Sequence, residues 1–126
     1  MAQSLSRLWT HLIFSTKDRF PFLRDRVLRS EMHAYLAEML RVHDCTTLIV
    51  GGVEDHTHSL FALSRTHSIA SVVKEVKRTS SSWIKTTSRK VSKFHWQGGY
   101  ASFSVSQSNL TDVIRYIENQ EELING

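Results

Sequence analysis

The stretch TTLIVGGVEDHTHSLFAL, residues 46–63, decides the fold of this chain. Its first half, Thr46 to Val53, is β-branched and apolar and ends near Gly51-Gly52; after the acidic corner Glu54-Asp55, a second run from His56 to Leu63 again has strand character. So short a connection predicts an antiparallel hairpin. Within the second strand, side chains at i and i+2 leave on one face, so His56 and His58 are neighbours. Two imidazoles so placed can share a divalent ion, although a three-residue pattern taken alone more often marks ordinary hairpin histidines.

Upstream, Leu8 to Ser15 reads as a strand with Leu8, Thr10, Leu12 and Phe14 on one face and Trp9, His11 and Ile13 on the other. Apolar residues on both faces place it in the centre of a sheet. A basic turn, Lys17-Asp18-Arg19, and the only proline, Pro21, follow. From Asp25 to His43, Val27, Leu28, Met32, Tyr35, Leu36, Met39 and Leu40 recur at helical spacing, with Arg24, Arg29, Glu31, Glu38 and Arg41 expected in solvent. Downstream, Ser68 is a candidate N-cap for a second helix that turns Ile69, Val72, Val73, Val76, Trp83 and Ile84 inward and Lys74, Lys77, Arg78 and Lys85 outward. Lys93 to Ser106 returns to strand character, broken at Gly98-Gly99. Asn109 is a candidate N-cap, with Asp112 at the reciprocal position, for a last helix running through Glu122 with Leu110, Val113, Ile114 and Ile117 inward. The order β-α-β-β-α-β-α predicts an α+β fold: an antiparallel β-sheet with helices packed on it, ferredoxin-like or RRM-like, plus a C-terminal helix that carries Tyr116.

At 126 residues and 40% hydrophobic content, the chain reads as a single domain spanning residues 1–126. Cys45 has no partner for an internal disulfide, the opening MAQSLSRLWTHLIFS lacks a signal-peptide pattern, and no apolar stretch approaches the roughly 20 residues that cross a bilayer. A cytoplasmic protein with no membrane partner is expected. The net charge is +4, a mild bias toward polyanions, but the distribution is uneven. Residues 74–93 hold seven basic side chains and one acid, whereas residues 109–126 hold four acids and one arginine.

On the final helix Tyr116 and Gln120 stand at i and i+4, one turn apart on one face. Gln120 can offer an oxygen to a hard metal and Tyr116 a phenol to a phosphate; separately, each is more simply a helix-surface residue. His11, His33, His43, His67 and His95 lack ligand spacing and read as packing or surface residues, Trp83 and Trp96 as core, and Cys45 as a small buried residue. Asp55 reads as a turn aspartate, with orientation of the His56 imidazole as its second reading.

Five segments together, LWTHLIFSTKDRFPFL (8–23), GGVEDHTHSLFAL (51–63), SIASVVKEVKRTSSSWI (68–84), WQGGYASFSVS (96–106) and IRYIENQEE (114–122), resemble the single-tyrosine insertion-sequence transposases of the His-hydrophobic-His (HUH) class, TnpA-type. The resemblance runs from Trp9 to Glu122 in the right order. It implies that His56 and His58 bind Mg²⁺ or Mn²⁺, that Gln120 completes the protein ligands, and that Tyr116 attacks a phosphodiester to leave a 5′-phosphotyrosine and a free 3′-OH. A free phenol titrates near ~10 and needs such help at neutral pH. The middle residue of the histidine motif is usually bulkier and apolar; here it is Thr57. The implied partners are single-stranded DNA with hairpins and a second copy of the chain, in a homodimer whose active sites can be shared between subunits. Lys17, Arg19, Lys74, Lys77, Arg78, Lys85, Arg89 and Lys90 are the expected phosphate contacts. Two other readings remain open: a domesticated relative that nicks palindromic repeats, and a non-catalytic module that binds single-stranded nucleic acid on its sheet.

Overall fold

The computed structural model describes residues 7–120. Strands β1 (Trp9–Ser15), β2 (Thr46–Gly52), β3 (His56–Ala62) and β4 (Ala101–Val105) form one sheet in the order β2-β3-β1-β4, every neighbouring pair antiparallel. Helices α1 (Arg26–Val42), α2 (Ile69–Thr87) and α3 (Leu110–Glu118) complete it. This is the expected α+β, ferredoxin-like arrangement with β1 central. Among the described residues no helix is long and apolar enough to cross a membrane.

The period-two alternation of the strands gives the sheet two different faces. Leu12, Phe14 and Phe61 point to α1 and α2 and join Leu28, Met32, Leu36, Leu40, Val72, Val73, Val76 and Ile84 in the larger core, with Cys45 buried beside them and Trp83 and Trp96 packed on its edge. Trp9, Leu60 and Ala62 point the other way and are covered by Leu110 and Ile117 of α3. Each large apolar side chain so buried contributes about 1.5–3 kcal/mol. The helix starts follow the sequence: Asp25 accepts hydrogen bonds from the Val27 and Leu28 amides, and Ser68 from the Ser71 amide.

Three expectations are corrected. Strand structure does not begin at Lys93; it is confined to Ala101–Val105, and the preceding loop pairs with the end of β1 at an isolated bridge, Thr16 with Trp96. Backbone bonds flank that bridge, Lys17 N donating to the His95 carbonyl and Gln97 N to the Ser15 carbonyl, and side chains hold the rest: Lys77 Nζ donates to the carbonyls of Gln97 and Gly99, and Trp96 Nε1 donates to Ser80 Oγ. Arg29 is buried, not solvated, because its guanidinium donates to the Leu23 carbonyl at 2.8 Å. Asn109 makes no side-chain cap; the chain enters α3 through a 3-10 turn, Gln107–Asn109, so Asn109 lacks the extended backbone that a capping residue needs. The expected continuation of the last helix through Glu122 lies partly outside the described residues.

Candidate active site

The register of β1 against β3 assembles the site. Ile13 lies opposite His58 and Ser15 opposite His56, so the two histidines share a face with Trp9 and His11. The His56 and His58 ring centroids are 5.1 Å apart, as the i, i+2 spacing requires.

His56 Nδ1 lies 2.8 Å from Asp55 Oδ1, and since a carboxylate only accepts, that nitrogen carries the proton. In the neutral ring the lone pair is then on Nε2. Arg19 Nε donates to the other Asp55 oxygen at 3.1 Å. Burial alone would raise the Asp55 carboxyl, but the hydrogen bonds from His56 and Arg19 outweigh it and hold the group below its usual range. Asp55 therefore orients His56 rather than merely filling a turn.

His58 is only 3% exposed, and its Nδ1 lies 2.9 Å from His11 Nε2. Its own Nε2 is buried and makes no hydrogen bond. Burial first, and then the neighbouring histidines, push its pKa down to about 4, so the ring is neutral at pH 7. His11, read from the sequence as a packing or surface residue, lies in this cluster. Its position on the Trp9/His11/Ile13 face was legible, but its partner lies 47 residues away and follows only from the β1–β3 register.

Tyr116 reaches this cluster because of a glycine. Gly51 pairs with His58 in the sheet, and a Cβ there would fall 2.9 Å from Ile117 Cγ2 and 3.2 Å from the Ile117 carbonyl oxygen. Without that carbon, α3 settles onto β2. The adjacent Tyr116 then stands edge-on to His58 at 5.6 Å between centroids and to His11 at 6.3 Å, while remaining 49% exposed. Gln120 is 6% exposed, and its Nε2 donates to the Tyr116 carbonyl at 3.3 Å, tying it to the end of the same helix.

The donor set fits a divalent cation: His58 presents a buried nitrogen with no partner, and His56 a nitrogen left free by its bond to Asp55. Among the described residues no three His, Cys, Asp or Glu side chains converge on one point. Two protein nitrogens alone do not satisfy such an ion, which would need further ligands from Gln120, water or substrate.

The basic residues divide by location. Arg19 touches the site and Lys17 shares its turn. Lys77 is held by loop carbonyls and stands over the Phe14 ring, and burial lowers its pKa; Arg78 pairs with Glu75 at 2.8 Å. Lys74 and Lys85 on α2, and Arg89 and Lys90 in the turn after it, belong to the layer across the sheet from the histidines. Phe103 of β4, which the sequence did not single out, is 55% exposed and stands 6.2 Å from the His11 ring.

Solved structures share this fold. A candidate transposase from Deinococcus radiodurans R1 superposes with a TM-score of 0.70 at 24% identity, over 91% of this chain and 92% of that one. A REP-associated tyrosine transposase bound to a REP hairpin superposes at 0.57 with 12% identity, over 87% of this chain and 62% of that one. At these identities the likeness is one of architecture. No curated protein sequence matches the chain. The model of the IS200-like transposase family matches residues 4–120, and the chain belongs to that family.

Proposed function

We propose that this transposase cleaves and rejoins single-stranded DNA at hairpin-flanked element ends, with Tyr116 as nucleophile and His56, His58 and Gln120 as ligands of Mg²⁺ or Mn²⁺. The observation that carries the proposal is the half-exposed Tyr116 ring set edge-on against a buried His58 whose Nε2 has no partner. Hairpin recognition draws on the REP-hairpin complex of the related fold.

In the proposed reaction the Tyr116 oxygen attacks phosphorus in line with the departing 3′ oxygen. A phosphorus–tyrosine bond forms as the bond to the 3′ oxygen breaks; the phenol releases its proton to water and the leaving oxygen takes one up. The products are a 5′-phosphotyrosine and a free 3′-OH. One ester has replaced another, so a second 3′-OH can reverse the step on a new strand without ATP. A bound divalent ion would supply neutralisation of charge on the non-bridging phosphate oxygens. The chain's own part is to keep the His58 imidazole neutral and both rings oriented, and to hold the phenol on α3 while leaving it open to a strand. Phe103 offers a flat ring to an unpaired base beside the scissile phosphate. Lys17 and Arg19 serve phosphates near the site, whereas Lys74, Lys85, Arg89 and Lys90 serve DNA farther from it; Lys77 and Arg78, engaged within the protein, contribute less.

A homodimer is part of the proposal. Tyr116 stands over the histidines of its own chain, which favours sites completed within one subunit. Mixing a Tyr116→Phe protein with a His56→Ala/His58→Ala protein then gives no rescue of cleavage; rescue would establish shared sites.

The decisive experiment incubates the protein with labelled single-stranded hairpin DNA and Mn²⁺ and resolves the products on a denaturing gel. A covalent adduct is expected, lost in Tyr116→Phe and on adding EDTA. No adduct across a broad set of hairpins would favour the non-catalytic binding module, and an adduct untouched by EDTA would remove the metal from the mechanism.

A further inference from the structure

We infer that His11 is a positioning residue for the metal site: by accepting a hydrogen bond from His58 Nδ1, it holds that ring in the tautomer whose Nε2 lone pair is free to bind a cation. The inference rests on the metal assignment proposed above for His56 and His58.

Two neutral imidazole nitrogens 2.9 Å apart share one proton, and the bond can be written in two ways. If His11 Nε2 donates, the His58 proton sits on Nε2, a buried N–H with no acceptor and no capacity to ligate. If His58 Nδ1 donates, Nε2 is instead a buried lone pair, and a cation supplies what the protein does not. The second assignment makes the two histidines alike, because Asp55 already fixes the His56 proton on Nδ1. Both rings are then steered through Nδ1 and both offer Nε2. A partner that fixes the tautomer in this way is the usual companion of a metal-binding histidine.

The two partners differ in chemistry for a physical reason. Asp55 lies at the rim, where its charge is partly solvated and shared with Arg19. His11 is on the central strand, buried and flanked by the rings of His58, Phe103 and Tyr116. A carboxylate there would lose its hydration without a cationic partner, whereas a neutral imidazole accepts a hydrogen bond without carrying charge. The sheet fixes the His11 backbone on both sides, through β3 and β4, so its acceptor nitrogen has little freedom to leave.

The test compares wild type with His11→Gln, which keeps an acceptor at similar reach, and His11→Leu, which removes it. Long-range ¹H–¹⁵N spectra of the metal-free proteins report the His58 tautomer: a protonated Nδ1 is expected in wild type and His11→Gln, and a protonated Nε2, the intrinsically favoured form, in His11→Leu. Mn²⁺ affinity, read by electron paramagnetic resonance without DNA, should weaken about 10- to 100-fold in His11→Leu and stay within roughly threefold of wild type in His11→Gln. A protonated Nε2 on His58 in wild type overturns the inference even if His11→Leu fails to fold. Equal Mn²⁺ affinity in folded His11→Leu and wild type overturns the role of His11 alone. Wild type that takes up no Mn²⁺ overturns the metal assignment itself.

Discussion

Thr57, between the two histidines, is fully buried on the face that supports the main core, and its hydroxyl makes no hydrogen bond within the protein. A buried polar group without a partner costs about 1–3 kcal/mol, and a methyl in its place removes the cost. Thr57→Val should therefore stabilise the fold by roughly 1 kcal/mol in urea titrations. Mn²⁺ affinity should not change, because Thr57 points away from the imidazoles. This is the physical meaning of the apolar residue usual at the centre of the motif: it belongs to the core, and the chemistry belongs to its neighbours on either side. An unchanged or lower stability would show that Thr57 has a hydrogen-bond partner in solution.

Among the elements, α3 depends on the bare backbone at Gly51. A methyl there must displace the Ile117 side chain and press on its carbonyl, so Gly51→Ala should cost about 1–3 kcal/mol of stability. It should also cut adduct formation and weaken Mn²⁺ binding only in part, since Tyr116 and Gln120 move with the displaced helix while both histidines stay on their strand. Complete loss of Mn²⁺ affinity would contradict that separation. At the start of α1, the Leu28 and Val27 amides hold the Asp25 carboxyl below its ordinary range despite some desolvation, with Lys90 and Arg29 adding to the shift. Its folded pKa is depressed, so the stabilisation is complete above the unfolded carboxylate pKa and is lost as the pH falls through the folded value. Asp25→Ala should melt at a lower temperature than wild type at neutral pH, and the gap should close on acidification. The apolar stripes of α1 and α2 and the Ser68 cap of α2 were legible because each is a local pattern. Residues 93–100 were not, because only a short backbone pairing with residues 15–17 forms there, and Lys77, on a different element, takes the Gln97 and Gly99 carbonyls that a longer strand would have paired.

Across the whole molecule the sheet separates two tasks, with α1 and α2 building the main core on one side and α3 closing over the histidines on the other. The proposed DNA-binding residues divide the same way, and salt dependence can tell them apart. Neutralising one side chain that pairs with a phosphate of a single strand should lower the slope of log K against log salt by about 0.7. Arg19→Gln should lower that slope and slow cleavage, because Arg19 also braces Asp55; Lys74→Gln with Lys85→Gln should lower the slope and leave the rate on bound substrate unchanged. Cleavage that falls equally in both variants would place the α2 side chains nearer the chemistry than the fold suggests. The closeness of His56 to His58 and of Tyr116 to Gln120 was legible in sequence because each rests on a local spacing. The His11 bond and the close approach at Gly51 were not, since both arise only when distant elements are laid against each other. Their common origin is β3, where even-numbered positions 56, 58 and 60 build the site and odd-numbered positions 57, 59 and 61 build the core. Shifting this strand by a single residue would exchange the two sets. Descendants of such a chain can drift in loop length elsewhere, but within β3 they can change only by replacement. A copy that has lost its chemistry and kept its shape should carry the loss at 56, 58 or 116, with the odd-numbered residues of β3 still apolar or small.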